Sequence, residues 1–164
     1  MINLEARLNE LGVKLTEQLV NDIQTKLIQR RGANGTFESV VNASGKLAKS
    51  IWFEVTNGTV LSIYGNDSIE FLENGRRPGK RPPISVIRDW IDAKNIIPDG
   101  ISKDSLAFLI ARRMGEEGST IYQAGGSDLV SGIFNETLQR SIEAEFAQLL
   151  VTEIQSEIFD LLAA

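Results

Sequence analysis

Cysteine and histidine are both missing from this chain of 164 residues. Without cysteine there is no disulfide framework and no thiolate nucleophile, and nothing marks an oxidising compartment. Without histidine, His-dependent triads, His-based zinc sites and the commonest general base are excluded together. Long apolar runs are lacking as well: no stretch approaches the roughly 20 residues that cross a bilayer, and the start MINLEARLNE has neither the basic nor the apolar region of a signal peptide. The expectation is a protein kept in a cytosol, or in a particle assembled there, with no membrane partner. No Gly-rich phosphate motif with its lysine, no Gly-x-Ser-x-Gly and no spaced acidic calcium loop occurs. The carboxylates are scattered; Glu116-Glu117 and Glu143 to Glu145 sit where solvated helix faces account for them. The reading is therefore no enzyme, no cofactor and no metal.

What is present suits one ordinary domain over residues 1–164, at 42% hydrophobic and 24% charged residues with a net charge of −5. Leu4, Leu8, Leu11, Leu15, Leu19, Ile23 and Leu27 recur at spacings of three and four, which predicts an amphipathic helix from Ile2 to about Arg31. Gly12 inside it costs on the order of 1 kcal/mol relative to alanine, so a bend or a close packing contact is expected there. Arg30-Arg31-Gly32 reads as its basic C-terminal end, followed by a loop to about Ser44. Ile51 to Val55 and Thr59 to Tyr64 flank Asn57-Gly58, which predicts a β-hairpin and the only β-structure of the chain. Trp52 and Trp90 read as core anchors. Ser85 and Ser102 are candidate N-caps for helices carrying Trp90 and Met114, the second with Leu106, Leu109, Ile110 and Met114 inward. Ser119 to Ser127 reads as a flexible connection. Asp128 is expected to cap a last helix running almost to Ala164. The fold class expected is α+β and mostly helical, with long N- and C-terminal helices packed on each other and on a small antiparallel hairpin.

The stretch Phe71 to Trp90 stands apart from this periodicity, holding three of the four prolines. Gly75 falls where a helix end needs positive φ. Pro78, Pro82 and Pro83 then forbid both helix and central strand, because each lacks a donor and drives its predecessor toward an extended conformation. Arg76, Arg77, Lys80 and Arg81 thus lie on a stiff cationic loop. Four cations within six residues of an acidic chain suit an anionic partner, either the acidic surface of a neighbouring subunit or a phosphate backbone. These four are the candidate partner-binding residues. The net acidity of the chain favours the protein partner over nucleic acid.

The string Glu70-Phe71-Leu72-Glu73-Asn74-Gly75-Arg76-Arg77-Pro78, with Pro82-Pro83 and Trp90-Ile91 after it, resembles the tail-completion, or neck, "tail-component" family of tailed bacteriophages. Ser44-Gly45-Lys46-Leu47-Ala48-Lys49-Ser50-Ile51 is similar to that family's segment leading into its first strand. Ala107 to Met114, followed by Gly118-Ser119-Thr120, is similar to its helix ending in Gly-Thr. The resemblance spans Ser44 to Thr120, and it departs from the family after Thr120, where Ile121-Tyr122 replaces the usual Pro-Phe pair. The inter-subunit role of that pair is not carried over. The resemblance implies a non-enzymatic virion structural protein of the head–tail connector, assembled in the bacterial cytoplasm. Its partners would be copies of itself in a ring, neighbouring portal, neck and tail proteins, and channel DNA through non-specific contacts. The alternative is a nucleic-acid-binding module using the basic loop with Arg112 and Arg113.

Overall fold

Leu8, Leu15, Leu19 and Ile23 form one buried stripe along the first helix, α1, Leu4–Thr25, in a computed structural model that describes residues 4–32, 34–41 and 43–163. Gly12 lies in that stripe because Phe53 of the facing strand occupies the space where a side chain would begin. The helix ends earlier than its leucine spacing predicts, and Ile2 lies outside the described residues. Leu27–Gly32 is instead strand β1, paired antiparallel with β2, Gly35–Val40, in a register that sets Gly32 opposite Gly35. The reason is a competing local signal: glycines close a tight connection, and alternation puts Ile28 and Arg30 on the covered face and Leu27, Gln29 and Arg31 outside. The described residues therefore hold two hairpins where one was expected.

The expected hairpin is β3, Trp52–Thr56, against β4, Val60–Tyr64. Asn57 and Gly58 both take positive φ, 53° and 65°, and Thr59 N–H donates to Thr56 O at 3.2 Å. Phe53 and Val55 face α1, whereas Trp52 faces outward at 52% exposure and stacks on Tyr64 at 4.4 Å between ring centroids. Trp52 is thus no core anchor; Trp90 is half-buried and packs against the second core. Ahead of β3, a single 3-10 turn at Ala48–Ser50 buries Ala48.

Two apolar cores result among the described residues. The larger joins Leu15, Leu19 and Ile23 of α1 to Ile28, Leu72, Ile121, Leu129 and Ile133. The smaller lies between α3, Ile84–Ala93, and α4, Lys103–Glu117, and is built from Ile87, Ile91, Ala107 and Ala111. The α3–α4 pair crosses at small residues, so Leu109, expected inward, stands 50% exposed. Ser102 caps α4 as predicted, its Oγ accepting from Ser105 N–H at 3.1 Å. Ser85 does not cap α3, since the helix opens one residue earlier at Ile84 with Pro83 in the cap position, a place where a missing donor costs nothing. Helix α2, Ser68–Glu73, precedes the basic loop, and α5, Thr120–Gln123, replaces the expected flexible connection.

The last helix, α6, spans Glu136–Ala163. It begins after Asn135, whose Oδ1 accepts from Leu138 N–H at 3.1 Å, and not after Asp128, which sits at φ 49° in a turn. Leu138 packs against the larger core, and Ile142, Phe146 and Leu149 continue that half-buried face. From there on the apolar positions change face. Leu150, Val151, Ile154, Ile158 and Leu162 lie roughly 150° around the axis from the first set at 3.6 residues per turn, and all five are exposed. The expected packing of the two terminal helices on each other is not formed as an extended interface; α1 packs on β2, β3, β4 and the 3-10 turn, and α6 makes no comparably extensive contact with another element. The molecule is α+β, mostly helical, with long helices at both ends of the chain. No helix among the described residues is long and apolar enough to cross a membrane.

Candidate functional site

The basic loop is fixed at three points to the end of α4 and the start of α5. Arg76 N–H donates to Ser119 Oγ at 2.9 Å, Ser119 N–H donates back to Arg76 O at 2.8 Å, and Gly79 N–H donates to Gly115 O at 2.7 Å. Gly75, at φ 69°, brings the backbone against Tyr122 so closely that a β-carbon would overlap the Tyr122 backbone nitrogen. Only glycine meets both demands. Pro82 is buried and closes the loop against α3.

This frame sends the four predicted cations in two directions. Arg76 turns inward: its guanidinium lies 5.3 Å from the Phe71 ring centroid, and its Nη2 donates to Lys80 O at 3.2 Å. Arg81 lies over Phe108, 5.9 Å from that ring centroid. Arg77 and Lys80 are exposed, and their side chains have no hydrogen bond or ion pair to another described residue. Arg112 and Arg113 are each held by a carboxylate one turn on, Glu116 and Glu117, both at 2.9 Å. The hydrogen bond from Arg112 holds Glu116 below the usual carboxylate range.

Beside the loop opens a cleft of about 450 Å³, walled by Phe71, Val86, Ile87, Trp90, Met114 and Ile121 and rimmed by Arg30, Arg31, Arg76 and Arg113. Its volume is within the roughly 300–1,000 Å³ of specific binding pockets. With Arg30 and Arg31 expected at a helix end the cleft is hidden in the sequence; the signal for it is the alternation of Ile28 and Arg30 before the Gly32–Gly35 turn. Arg30 Nε is buried without a hydrogen-bond partner among the described residues. Burial lowers the pKa of that guanidinium, and burial together with the Arg30 charge lowers that of Lys94, whose Nζ donates to Val40 O at 3.2 Å. A buried unpaired donor next to other cations is costly, and an incoming carboxylate or phosphate removes the cost. A second, shallow cleft on the far side of α3 and α4 is different: both of its cations are already paired, Lys103 with Asp92 at 2.6 Å and Arg88 with Asp104 at 3.3 Å.

No group of histidine, cysteine, aspartate and glutamate side chains among the described residues could hold a metal ion. The fold and site together define an α+β protein that offers a braced cationic loop and an apolar cleft ringed by arginines. No family model, no curated protein and no solved structure matches the chain.

Proposed function

We propose that this chain is a non-enzymatic structural subunit of a phage particle, placed at the neck or head–tail joint, where copies assemble as a ring around the DNA channel. The observation that carries the reading is how the segments of the phage resemblance meet. The Glu70–Pro83 stretch and the Ala107–Thr120 stretch are far apart in sequence, yet they brace each other through the reciprocal Arg76–Ser119 hydrogen bonds and the Gly79–Gly115 bond. A loop held that firmly loses little entropy when a partner docks. Arg77 and Lys80 are left pointing outward for that partner. The nucleic-acid alternative draws on Arg112 and Arg113, which are already tied to Glu116 and Glu117.

The test is the double reversal Arg77→Glu with Lys80→Glu. Arg76 is left in place because it helps to hold the loop. The reversed chain keeps its fold, since exposed substitutions of this kind stay within about 0.5 kcal/mol, but it is not incorporated into particles. Normal incorporation with normal infectivity makes the loop an ordinary solvated turn and ends the reading. Particles that form but fail to retain DNA assign the loop to the channel phosphates. Salt-dependent retention of DNA by the isolated chain supports the nucleic-acid module instead.

A further inference from the structure

We propose that the distal half of α6 from one copy docks in the Arg30 cleft of the next copy, joining subunits head to tail. The inference rests on the self-assembly reading above and names the two surfaces that meet. On one side, the cleft asks for an apolar body bearing negative charge: its walls are Phe71, Val86 and Trp90, and Arg30 Nε is buried there unpaired. On the other side, the chain offers that combination in α6. Ile154, Ile158 and Leu162 are 56%, 50% and 80% exposed, on a face against which no element of the described chain packs extensively.

Charge supports the match. From Glu136 to Ala163 the chain carries six carboxylates and one arginine, a net of −5 that equals the charge of the whole chain, so the remainder is neutral, with Arg30, Arg31 and Arg76 at the cleft rim beside an Arg113 already tied to Glu117. Opposed potentials of this kind steer encounter and fix register. The contact also explains why the apolar face of α6 rotates partway along. The first face, through Leu138, serves the subunit's own core, and the second, from Leu150 onward, serves the neighbour. Because helix and cleft are different patches, the contact is heterologous, and such contacts close into rings or run on as filaments.

A chain without cysteine allows a clean test. Val86 at the cleft mouth and Leu162 on the helix are 55% and 80% exposed, so Val86→Cys and Leu162→Cys leave the fold unchanged. The two single-cysteine chains are mixed, treated with a thiol oxidant and resolved by non-reducing electrophoresis and mass spectrometry. The expected product is the mixed dimer linked between positions 86 and 162, with its yield cut about tenfold by Arg30→Gln through loss of the charge pairing. A yield unchanged by Arg30→Gln overturns the role given to the cleft. Products linked only between two 162 positions overturn the docking in favour of α6 pairing with itself. Larger species in sedimentation without any 86–162 link also overturn it and leave the assembly reading standing. A chain that stays monomeric at every concentration and forms no link overturns both.

Discussion

At Gly12 two effects of opposite sign compete, and magnitude decides between them. Alanine in a helix interior gains on the order of 1 kcal/mol over glycine, but its methyl group enters the Phe53 ring, and such overpacking costs about 1–3 kcal/mol. Gly12→Ala is therefore expected to destabilise by about 1 kcal/mol net, read as a lower urea midpoint at unchanged slope; the double variant with Phe53→Leu recovers the loss. Glu73 acts in a different way. Its carboxylate accepts from Val130 N–H at 2.8 Å, from Ser131 N–H at 3.1 Å and from the Ser131 hydroxyl, and so holds the turn that leads into α6. Partial burial pushes its pKa up, yet the bonds from Ser131 and Val130 outweigh that and leave it below the ordinary value. A depressed folded pKa adds stability that is fully present above the unfolded value, about 4.3 for glutamate, and is lost as pH falls through the folded one. Glu73→Gln is expected to cost about 1–2 kcal/mol at pH 7, the scale of hydrogen bonds to a charged acceptor. The variant's deficit shrinks in urea melts at acid pH; a deficit that is constant with pH means the carboxylate charge plays no part. Of the candidate site residues, the exposure of Arg77 and Lys80 on a stiff loop was legible from the proline spacing, but the buried Nε of Arg30 was not. Its role depends on which face of a strand it occupies, and Arg30-Arg31-Gly32 reads equally well as a helix end.

Among the elements, legibility followed the strength of local chemistry. Asn57-Gly58 demands positive φ at both positions and found it, and Ser102 supplied a cap that no nearby residue rivals. The β1–β2 hairpin was hidden because Leu27 extends the leucine spacing of α1, and the periodic signal masked the alternating one. The start of α6 was misplaced because Asp128 is a competent cap on paper. In the structure Asp128 turns left-handed, and the segment to Asn135 is claimed by Glu73 and by the burial of Leu129 and Ile133. Trp52 and Tyr64 give an element-scale prediction. They stack on the open face of a two-stranded ribbon, and such pairs contribute about 0.5–1.5 kcal/mol beyond their burial. A double-mutant cycle with Trp52→Ala and Tyr64→Ala should return a coupling of that size in chemical unfolding. Zero coupling would show that the stack follows from the register without adding to the hairpin's stability.

For the molecule as a whole, the fold class was legible because both long helices announce themselves by composition. Their mutual packing was not, because a drifting apolar stripe looks the same whether it wraps a body or changes partner halfway. The structure separates these cases: Leu138 is anchored, and Leu150, Val151, Ile154, Ile158 and Leu162 are bare. Amide hydrogen exchange should follow that division. In dilute solution the amides beyond Leu149 exchange quickly, since helices without packing are marginal in water, and they gain protection as concentration rises. Equal protection along all of α6 at high dilution would contradict this.

The two cores also differ in how much chain must exist before each can close. Ile87, Ile91, Ala107 and Ala111 lie within one α3–α4 pair, so that core needs only a short loop to form and can do so early. The larger core cannot: Leu15, Leu19 and Ile23 wait for Leu129 and Ile133, more than a hundred residues downstream. At a synthesis rate of roughly 5–20 residues per second, the part of the α1 stripe that Leu129 and Ile133 cover stays open for about 5–20 seconds on the ribosome, and during that interval it is a natural target for a nascent-chain chaperone.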